Sequence, residues 1–485
     1  MAETNTTPIG HYYVRRALVY PHMMTKGVNT GQAQFDISPM VYALGVSESI
    51  GTAALSVHLK VLDNSGFLEN YPLRGEERLT LEVEDAMKNV RLWDLFIYKI
   101  DDVEAANNNK GVQYTLHAIS FQSFLASNLM ITMPLKHLTI SDMAQRVFDL
   151  AYVRPNGEEQ FADNRITGLK KTKVFNNTKK QLTKEPTEGF TRVVIPRMTG
   201  QGAMEFLIRR AFSHTSPSTS FRFFENSDGF YFVSDEWLVK RNAENEKHSF
   251  TMTFDDGIPK NGTQFELEFN NITSITNTKR ADTLEDIAGG AYKNHVINLD
   301  MMRSSANLRP DPNIDYDYYK AANSYRSKGA KAELLDLHTK EFIEAYSRYD
   351  NAVKYIIYKD WSEGADNASY QLRGEQYFDK IARNRIPFRK HLASTIVVAT
   401  GAPRLDITPG DTIILSATTF SADTQKIEPN VKLSGKYLVA SIDRILETGT
   451  GENRYTLLKV NWDDVVKTGE SGALTERAIR DAVSR

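Results

Sequence analysis

His338-x-x-Glu341 sets an imidazole and a carboxylate one helical turn apart, a spacing at which two side chains can share a divalent cation. A metal centre needs three or four convergent ligands, and nothing around this pair supplies the others, so it reads as a solvated helix face. Asp101-Asp102, Asp255-Asp256 and Asp463-Asp464 are adjacent carboxylates of the kind acid–base work requires. No neighbouring motif seats a substrate between them, and loop carboxylates ordinarily face solvent. The run Leu169–Lys184 carries Lys170, Lys171, Lys173, Lys179, Lys180 and Lys184. Clustered lysines neutralise phosphate charge, but arginine is missing and Phe175 is the run's one aromatic residue, so an exposed loop is the plainer reading. A phosphate-cradling G-x-x-x-x-G-K-[ST] loop, an H-E-x-x-H helix and a G-x-S-x-G elbow are all absent. The expectation is therefore a protein without catalytic, cofactor-binding or metal-ligating residues: not an enzyme.

Composition narrows the field further. The 59 basic and 61 acidic residues leave a formal charge of -2, so no global field draws in nucleic acid or an anionic membrane. Cysteine is absent, which removes disulfides, thiol catalysis and thiolate metal sites together and fits folding in a reducing cytoplasm. The opening MAETNTTPIG lacks the apolar core of a signal peptide, and no stretch of about 18 apolar residues occurs. A soluble, unprocessed chain is expected, and sequons such as Asn261-Gly262-Thr263 are read as chance. Length implies roughly three to four domains.

Periodicity places these residues on elements. From His11 to about Ser127 the pattern is β: Leu55, Val57, Leu59 and Val61 alternate with polar residues, as do Leu79, Leu81 and Val83. Strands at Leu95–Ile100 and Val112–Ile119 complete an antiparallel barrel or sandwich over residues 1–127. Residues 128–255 mix helix and strand. Ser141 is the expected N-cap of a helix bearing Met143, Val147 and Leu150, and a second helix carries Met204, Leu207, Ile208 and Ala211. It leads into SFRFFENSDGFYFVSDE, six aromatic rings on a hairpin that turns at Asn226-Ser227-Asp228-Gly229. Strand-spaced rings of this kind are core, or else a stacking surface for sugar or receptor. A second β-domain is split between 256–300 and 391–466 around a helical or mixed insert at 301–390, where Leu334, Leu335, Leu337, Phe342, Ile343 and Tyr346 mark amphipathic helix. Residues 467–485 form a tail.

Two of the β-segments look like copies. Phe96–Ile119 and Tyr437–Val460 each run through an apolar strand ending Ile-Asp (Ile100-Asp101, Ile442-Asp443), a loop, and a strand bearing Tyr-Thr-Leu (Tyr114-Thr115-Leu116, Tyr455-Thr456-Leu457). Upstream, Gly75-Glu76 precedes LTLEVED as Gly410-Asp411 precedes TIILSA. One chain would then carry two versions of one β-domain.

In this order the segments LRGEERLTLEVE with FIYKIDDV and YTLHAISFQSFLASN, GAMEFLIRRAF with the aromatic hairpin, FNNITSITNTKRADTLEDIAGGAYKNHVINLDM, and LDITPGDTIIL with GKYLVASIDRIL span most of the chain. Together they resemble the baseplate hub proteins of contractile-tailed phages and the first part of type VI secretion spike proteins. The resemblance implies an α+β, mainly β fold: two antiparallel β-barrel tube domains of one kind plus two peripheral mixed α/β domains. It also implies a homotrimer whose six tube domains ring a channel, adapting a sixfold tail tube or tube-initiator protein above to a threefold central spike protein below. Other baseplate proteins would surround it, and DNA would pass through without stable membrane insertion by the protein. Localisation would be the virion tail baseplate, after assembly in the host bacterial cytoplasm. The fused OB-fold and spike of type VI proteins are missing, so a separate spike partner is implied. Leu474, Ala478, Ile479, Ala482 and Val483 form one stripe of the tail, which docks on a partner or frays. The competing class is a monomeric tail-associated glycan-binding protein or cell-wall hydrolase.

Overall fold

The computed structural model describes residues 10, 12–20, 35–106, 111–153, 180–254, 269–279, 284, 294–300, 305–308, 353–358 and 395–461, apart from positions 72, 76, 216–219, 245, 422–425, 431–432 and 448–449. Over these residues the chain is α+β and mainly β.

The first β-unit comprises β1 (Tyr13–Tyr20), β2 (Phe35–Asp36), β3 (Val41–Ser49), β4 (Ser56–Asp63), β5 (Arg78–Glu84), β6 (Val90–Ala106) and β7 (Gly111–Ser120), with a single helical turn α1 (Phe67–Asn70). Alternation explains its layering: Val57, Leu59 and Val61 are fully buried, while His58 and Lys60 between them are exposed. The sheet bends round a core in which Val57, Leu59, Leu79, Leu81, Trp93, Leu95, Tyr114 and Leu116 meet. β6 extends well past the Leu95–Ile100 core of its strand signal.

The middle segment contributes α2 (Phe121–Asn128), β8 (Met130–Leu138), α3 (Ile140–Phe148), β9 (Leu182–Lys184), β10 (Thr191–Thr199), α4 (Gly200–Ile208), β11 (Phe221–Glu225), β12 (Phe230–Ser234) and α5 (Asp235–Glu244). The N-cap of α3 is Thr139, whose hydroxyl accepts from the Asp142 N–H at 3.2 Å, and not Ser141. Ser141 sits one residue inside the helix, where its N–H donates to the Thr187 hydroxyl at 2.8 Å; a buried tertiary partner outcompetes the local capping role.

The second unit comprises β13 (Ser249–Phe254), β14 (Ile272–Lys279), β18 (Ile396–Gly401), β19 (Thr412–Ser421), β20 (Lys426–Pro429), β21 (Gly435–Glu447) and β22 (Thr450–Asn461). β13, within the stretch read as peripheral, pairs with β19. Between β14 and β18, β15 (Asn294–Asp300), β16 (Ser305–Leu308) and β17 (Val353–Tyr358) form a separate sheet in the order β16-β15-β17. The amphipathic helix expected around Leu334–Tyr346 lies outside the described residues.

The expected pair of closed antiparallel barrels is corrected in two respects. One 14-stranded sheet runs β14-β18-β22-β21-β3-β4-β7-β6-β5-β1-β2, with β13, β19 and β20 branching from it, and no closed barrel forms among the described residues. In the first unit the outer edge of β3 pairs with the second half of β21 over seven positions and so joins the units instead of closing one; in the second, β13 reaches the chain just before β14 through the isolated bridge of Thr253 to Asn271. Nor is the pairing wholly antiparallel, because β13 runs parallel to β19 and β9 parallel to β12.

Lys459 on β22 is an outlier in this sheet. It is 2% exposed, its ammonium lies 5.6 Å from the Tyr437 ring centroid, and burial pushes its pKa down to about 7. Between that value and the ordinary lysine range the folded chain binds fewer protons than the unfolded chain, so stability rises with pH through this window. Lys459→Met should raise stability by on the order of 2 kcal/mol near pH 7, and the gain should fade towards about pH 10. Thermal unfolding of both proteins across that range checks it, and a gain independent of pH would contradict it.

Candidate functional site

The two β-units repeat through five strands, while the sixth, β13, runs parallel to β19 where its counterpart β1 runs antiparallel to β5. In the first the sheet order is β3-β4-β7-β6-β5-β1, and in the second β14-β18-β22-β21-β19-β13. Register repeats as well. Val57 lies opposite Ala118 as Val397 lies opposite Leu457, and Leu59 opposite Leu116 as Ala399 opposite Tyr455. A register break separates Ile97 from Lys99 in β6 and Val439 from Ser441 in β21, at equivalent points three residues before Asp101 and Asp443 respectively. The turns entering β5 and β19 are built alike: Glu77 accepts from the Arg74 N–H at 2.8 Å, and Asp411 from the Thr408 N–H at 2.8 Å. The Glu77 carbonyl then receives the Ile97 N–H at 2.8 Å, as the Asp411 carbonyl receives the Val439 N–H at 2.9 Å. The Ile-Asp anchors of the sequence match therefore coincide in space. The Tyr-Thr-Leu anchors do not, because Tyr455 stands where Leu116 stands and the match slides by two residues, keeping the same face.

Where the units meet, an ion pair is buried. Leu44, Val46 and Glu48 alternate on the buried face of β3, and Ile442, Arg444 and Leu446 on that of β21, so each strand carries one charge in an otherwise apolar series. Glu48 lies opposite Ile442 and Arg444 opposite Val46, which makes the two charges diagonal neighbours on one face. Their side chains are 0% and 2% exposed and 3.0 Å apart. Burial opposes the arginine's charge, but the Glu48 carboxylate, with Tyr12 and Tyr455 beside it, holds its pKa above the usual arginine value. Arg444 also donates to the carbonyls of Ile407 at 2.7 Å and Arg404 at 3.4 Å. The Arg404 carbonyl is approached too by the Tyr12 hydroxyl at 3.1 Å and the Asn453 amide at 2.8 Å.

The aromatic hairpin is the wedge in this joint. Phe221, Phe223, Phe230 and Phe232 face the helices with Phe148, Tyr152, Met204 and Leu207. Phe224 and Tyr231 face the other way, onto Leu438, Leu458 and Val460 of the second unit. All six rings are at most 7% exposed, so the ribbon offers no stacking platform for a sugar. Its turn reaches both units. Ser227 donates to Glu48 through its hydroxyl and, at 3.3 Å, its N–H; the Trp93 indole donates to the Ser227 hydroxyl at 3.0 Å. Asp228 is ion-paired with Arg91, and the Asn226 amide donates to the Pro409 carbonyl at 3.0 Å. Leu405, from the β18–β19 loop, is buried in the core of the first unit and held there by its N–H to Asp85 at 2.9 Å.

At the base of the hairpin Glu225, fully buried, accepts from the Leu55 N–H at 3.2 Å, the Ser123 hydroxyl at 2.8 Å and the Lys180 ammonium at 2.8 Å. Lys180 and Lys184 of the lysine run are thus not part of an open basic loop: Lys180 closes this node, and Lys184 pairs with Asp142 at 2.7 Å. Lys170, Lys171, Lys173 and Lys179 lie outside the described residues. So do His338, Glu341, Asp255, Asp256, Asp463 and Asp464, and the tail stripe Leu474, Ala478, Ile479, Ala482 and Val483. Of the acidic pairs only Asp101-Asp102 is described. It does not form an acid–base couple: Asp101 is ion-paired with Lys99, whose ammonium lowers its pKa, and Asp102 accepts from the Thr115 hydroxyl at 3.3 Å. Among the described residues no group of three or more His, Asp or Glu is placed to hold a metal ion, and no helix is long and apolar enough to cross a membrane.

Neither a family model nor a curated protein matches the sequence. Solved structures do share features of the chain. A tail protein from Neisseria meningitidis MC58 is similar at 10% identity and a TM-score of 0.45, over 94% of this chain and 99% of that one. The 43 kDa tail protein of prophage MuSo2 from Shewanella oneidensis gives 10% identity and a TM-score of 0.42, over 93% and 100%. The E. coli c3393 protein, a type VI secretion component described as similar to T4 bacteriophage tail proteins gp27 and gp5, gives 7% identity and a TM-score of 0.39, over 87% and 73%.

The joint residues Glu48, Arg444, Ser227 and Leu405 were not singled out by motif. A signal for two of them was present: Glu48 follows Leu44-x-Val46 in alternation, and Arg444 interrupts Ile442-x-x-x-Leu446, each a charge at an inward strand position that must find a partner.

Proposed function

We propose that this chain is a structural hub of a contractile phage tail or related injection machine. Three copies form a ring of six β-units that adapts a sixfold tail tube above to a threefold central spike below and leaves a channel through which DNA passes. What carries the reading is the repetition of one β-unit through five strands in the same order, with the copies joined edge to edge through β3 and β21 and locked by Glu48 and Arg444. A chain with two like units side by side has the geometry to present six units with threefold symmetry. A heterologous contact of this kind, repeated between chains, closes into a ring when its rotation permits. The work is mechanical, and no catalytic step is assigned. The middle segment braces each ring subunit from outside, the tail stripe Leu474–Val483 is assigned to the spike contact, and the protein resides in the tail baseplate. The test is the native mass of the full chain by light scattering or native mass spectrometry. A species of three chains, about 165 kDa from 54.9 kDa each, is expected; a monomer at micromolar concentration in the presence of the spike partner would overturn the ring.

A further inference from the structure

β4 and β7 are neighbours in the continuous sheet, and their inward residues help to build the core of the first β-unit. On the opposite face each strand carries an imidazole at the same level, because His58 lies directly opposite His117. His58 is exposed and His117 is half-buried. Their Nδ1 atoms are 2.8 Å apart, and the rings meet at 82° with centroids 4.8 Å apart. A contact this short between two imidazole nitrogens needs one donor and one acceptor, so the neutral pair holds a single proton between two converging lone pairs. Nε2 of His117 is buried and has no hydrogen-bond partner. A ring nitrogen buried for the sake of the fold is ordinarily bonded. The surroundings leave room beside the pair. The residue facing His58 from β3 is Gly45, which has no side chain, and Lys60, two residues along β4, is exposed. Across from His117, β6 presents Lys99, whose ammonium is ion-paired with Asp101, and the Tyr98 ring lies with its centroid 6.3 Å from that of His117. The positive charge standing next to His117 is therefore already neutralised by a carboxylate.

We infer that His58 and His117 chelate a transition-metal ion through their two Nδ1 atoms, Cu2+ in preference to Ni2+ or Zn2+, with water filling the remaining positions. The separation of the nitrogens selects the geometry. Two metal–nitrogen bonds of about 2.0 Å meeting at about 90° put the nitrogens about 2.8 Å apart, whereas a tetrahedral angle requires about 3.3 Å. The observed 2.8 Å therefore matches adjacent corners of a tetragonal ion. Imidazole suits copper, nickel and zinc, and the intrinsic order of affinity puts copper first. A hard cation such as Mg2+ takes oxygen ligands and is refused. The metal stands where the shared proton stood: the ring that held this proton on Nδ1 carries it on Nε2 instead, and both Nδ1 lone pairs are then used. With two protein ligands the ion exchanges with solvent and is not needed for folding, which separates this site from a closed structural centre of four ligands.

The absence of cysteine removes thiolates as competing ligands and makes the test direct. Copper(II) chloride is titrated into the full-length chain in a non-coordinating buffer, and the bound ion is followed by electron paramagnetic resonance. The unaltered chain should hold one tight ion, with two nitrogen ligands resolved in the spectrum. His58→Asn, a change on the solvent face that should leave the circular dichroism as it was, is expected to weaken binding by about ten- to a hundredfold through loss of the chelate. His117→Asn should do the same, and Lys60→Asn, on the same face but outside the pair, should leave the affinity unchanged. Copper should raise the melting temperature of the unaltered chain and not that of His58→Asn. Excess Mg2+ should not displace it. Equal copper affinity in the unaltered chain and in His58→Asn overturns the site, since the ion is then held elsewhere on the chain. Zn2+ binding as tightly as Cu2+ overturns the tetragonal assignment. Both rings belong to one chain, so neither result bears on the ring of three copies, which the native mass tests separately.

Discussion

Glu48→Ala is expected to destabilise the chain by about 3–5 kcal/mol, because it strands the Arg444 guanidinium in a site with 2% exposure. The loss is of a particular kind. Arg444 retains its two carbonyl acceptors, on Ile407 and Arg404, but no anion remains beside it, and Ser227 at the hairpin turn loses the carboxylate it donates to. Replacing both charges together, as Glu48→Leu with Arg444→Met, should recover most of that cost, since a buried ion pair exchanged for apolar groups of similar size is often neutral. Urea unfolding of Glu48→Leu, Arg444→Met and the double variant gives the coupling energy directly. A Glu48→Ala cost below about 1 kcal/mol would show that the backbone carbonyls, not the carboxylate, satisfy Arg444. The functional readout differs from the stability readout. The double variant, stable but without a polar lock, should have a looser β3–β21 joint and assemble less uniformly. Native mass spectra of the variant then separate specificity of assembly from stability of the fold.

The second large effect is expected at the centre of the aromatic hairpin. The Phe230 ring centroid lies 5.2 Å from that of Phe148, 5.0 Å from that of Tyr152 and 5.9 Å from that of Phe223. Phe230→Ala should cost about 3–5 kcal/mol, the transfer of a large ring plus the cavity that its neighbours cannot fill. Phe190→Ala, at a ring that is 57% exposed, is the matched control and should change stability by less than about 0.5 kcal/mol. Loss of near-ultraviolet circular dichroism in the first variant and not the second would locate the damage in the ring cluster. Equal small effects would mean that the hairpin packs loosely against α3 and α4. Because the reverse face of the hairpin carries Phe224 and Tyr231 onto the second β-unit, Phe230→Ala should also weaken the joint between the units. A correlated loss of trimer at partial denaturation is the expected signature.

Much of this fold could be read before any coordinates. Strict alternation marked β4 and β5, because one face of each strand meets the core and the other meets water. The hairpin was legible for the same reason, with Asn226–Gly229 supplying a turn that the Asn226 carboxamide caps by accepting from the Asp228 and Gly229 N–H groups. The repeated Ile-Asp anchors located the duplication correctly, since a strand register break sits at the same distance from each. The repeated Tyr-Thr-Leu did not align in space, because a two-residue slip preserves the face of every side chain and the apolar pattern cannot sense it. Ser141 was misread as a cap because capping signals are local, whereas its actual partner, Thr187, lies 46 residues away.

The amino-acid sequence by itself determined the β-rich character, the two like units and the hairpin that carries the ribbon of rings. These follow from periodicity and composition, which act over a few residues. Only the tertiary structure decided that the ribbon of rings is buried, that the units share one continuous sheet with no closed barrel among the described residues, that Glu48 meets Arg444, and that Lys180 closes the Glu225 node. Most of these depend on which strand edge reaches which across hundreds of residues, and the Glu225 node joins side chains 45 residues apart. Edge pairing is made by backbone groups that every residue carries alike, and so it leaves almost no mark in the sequence.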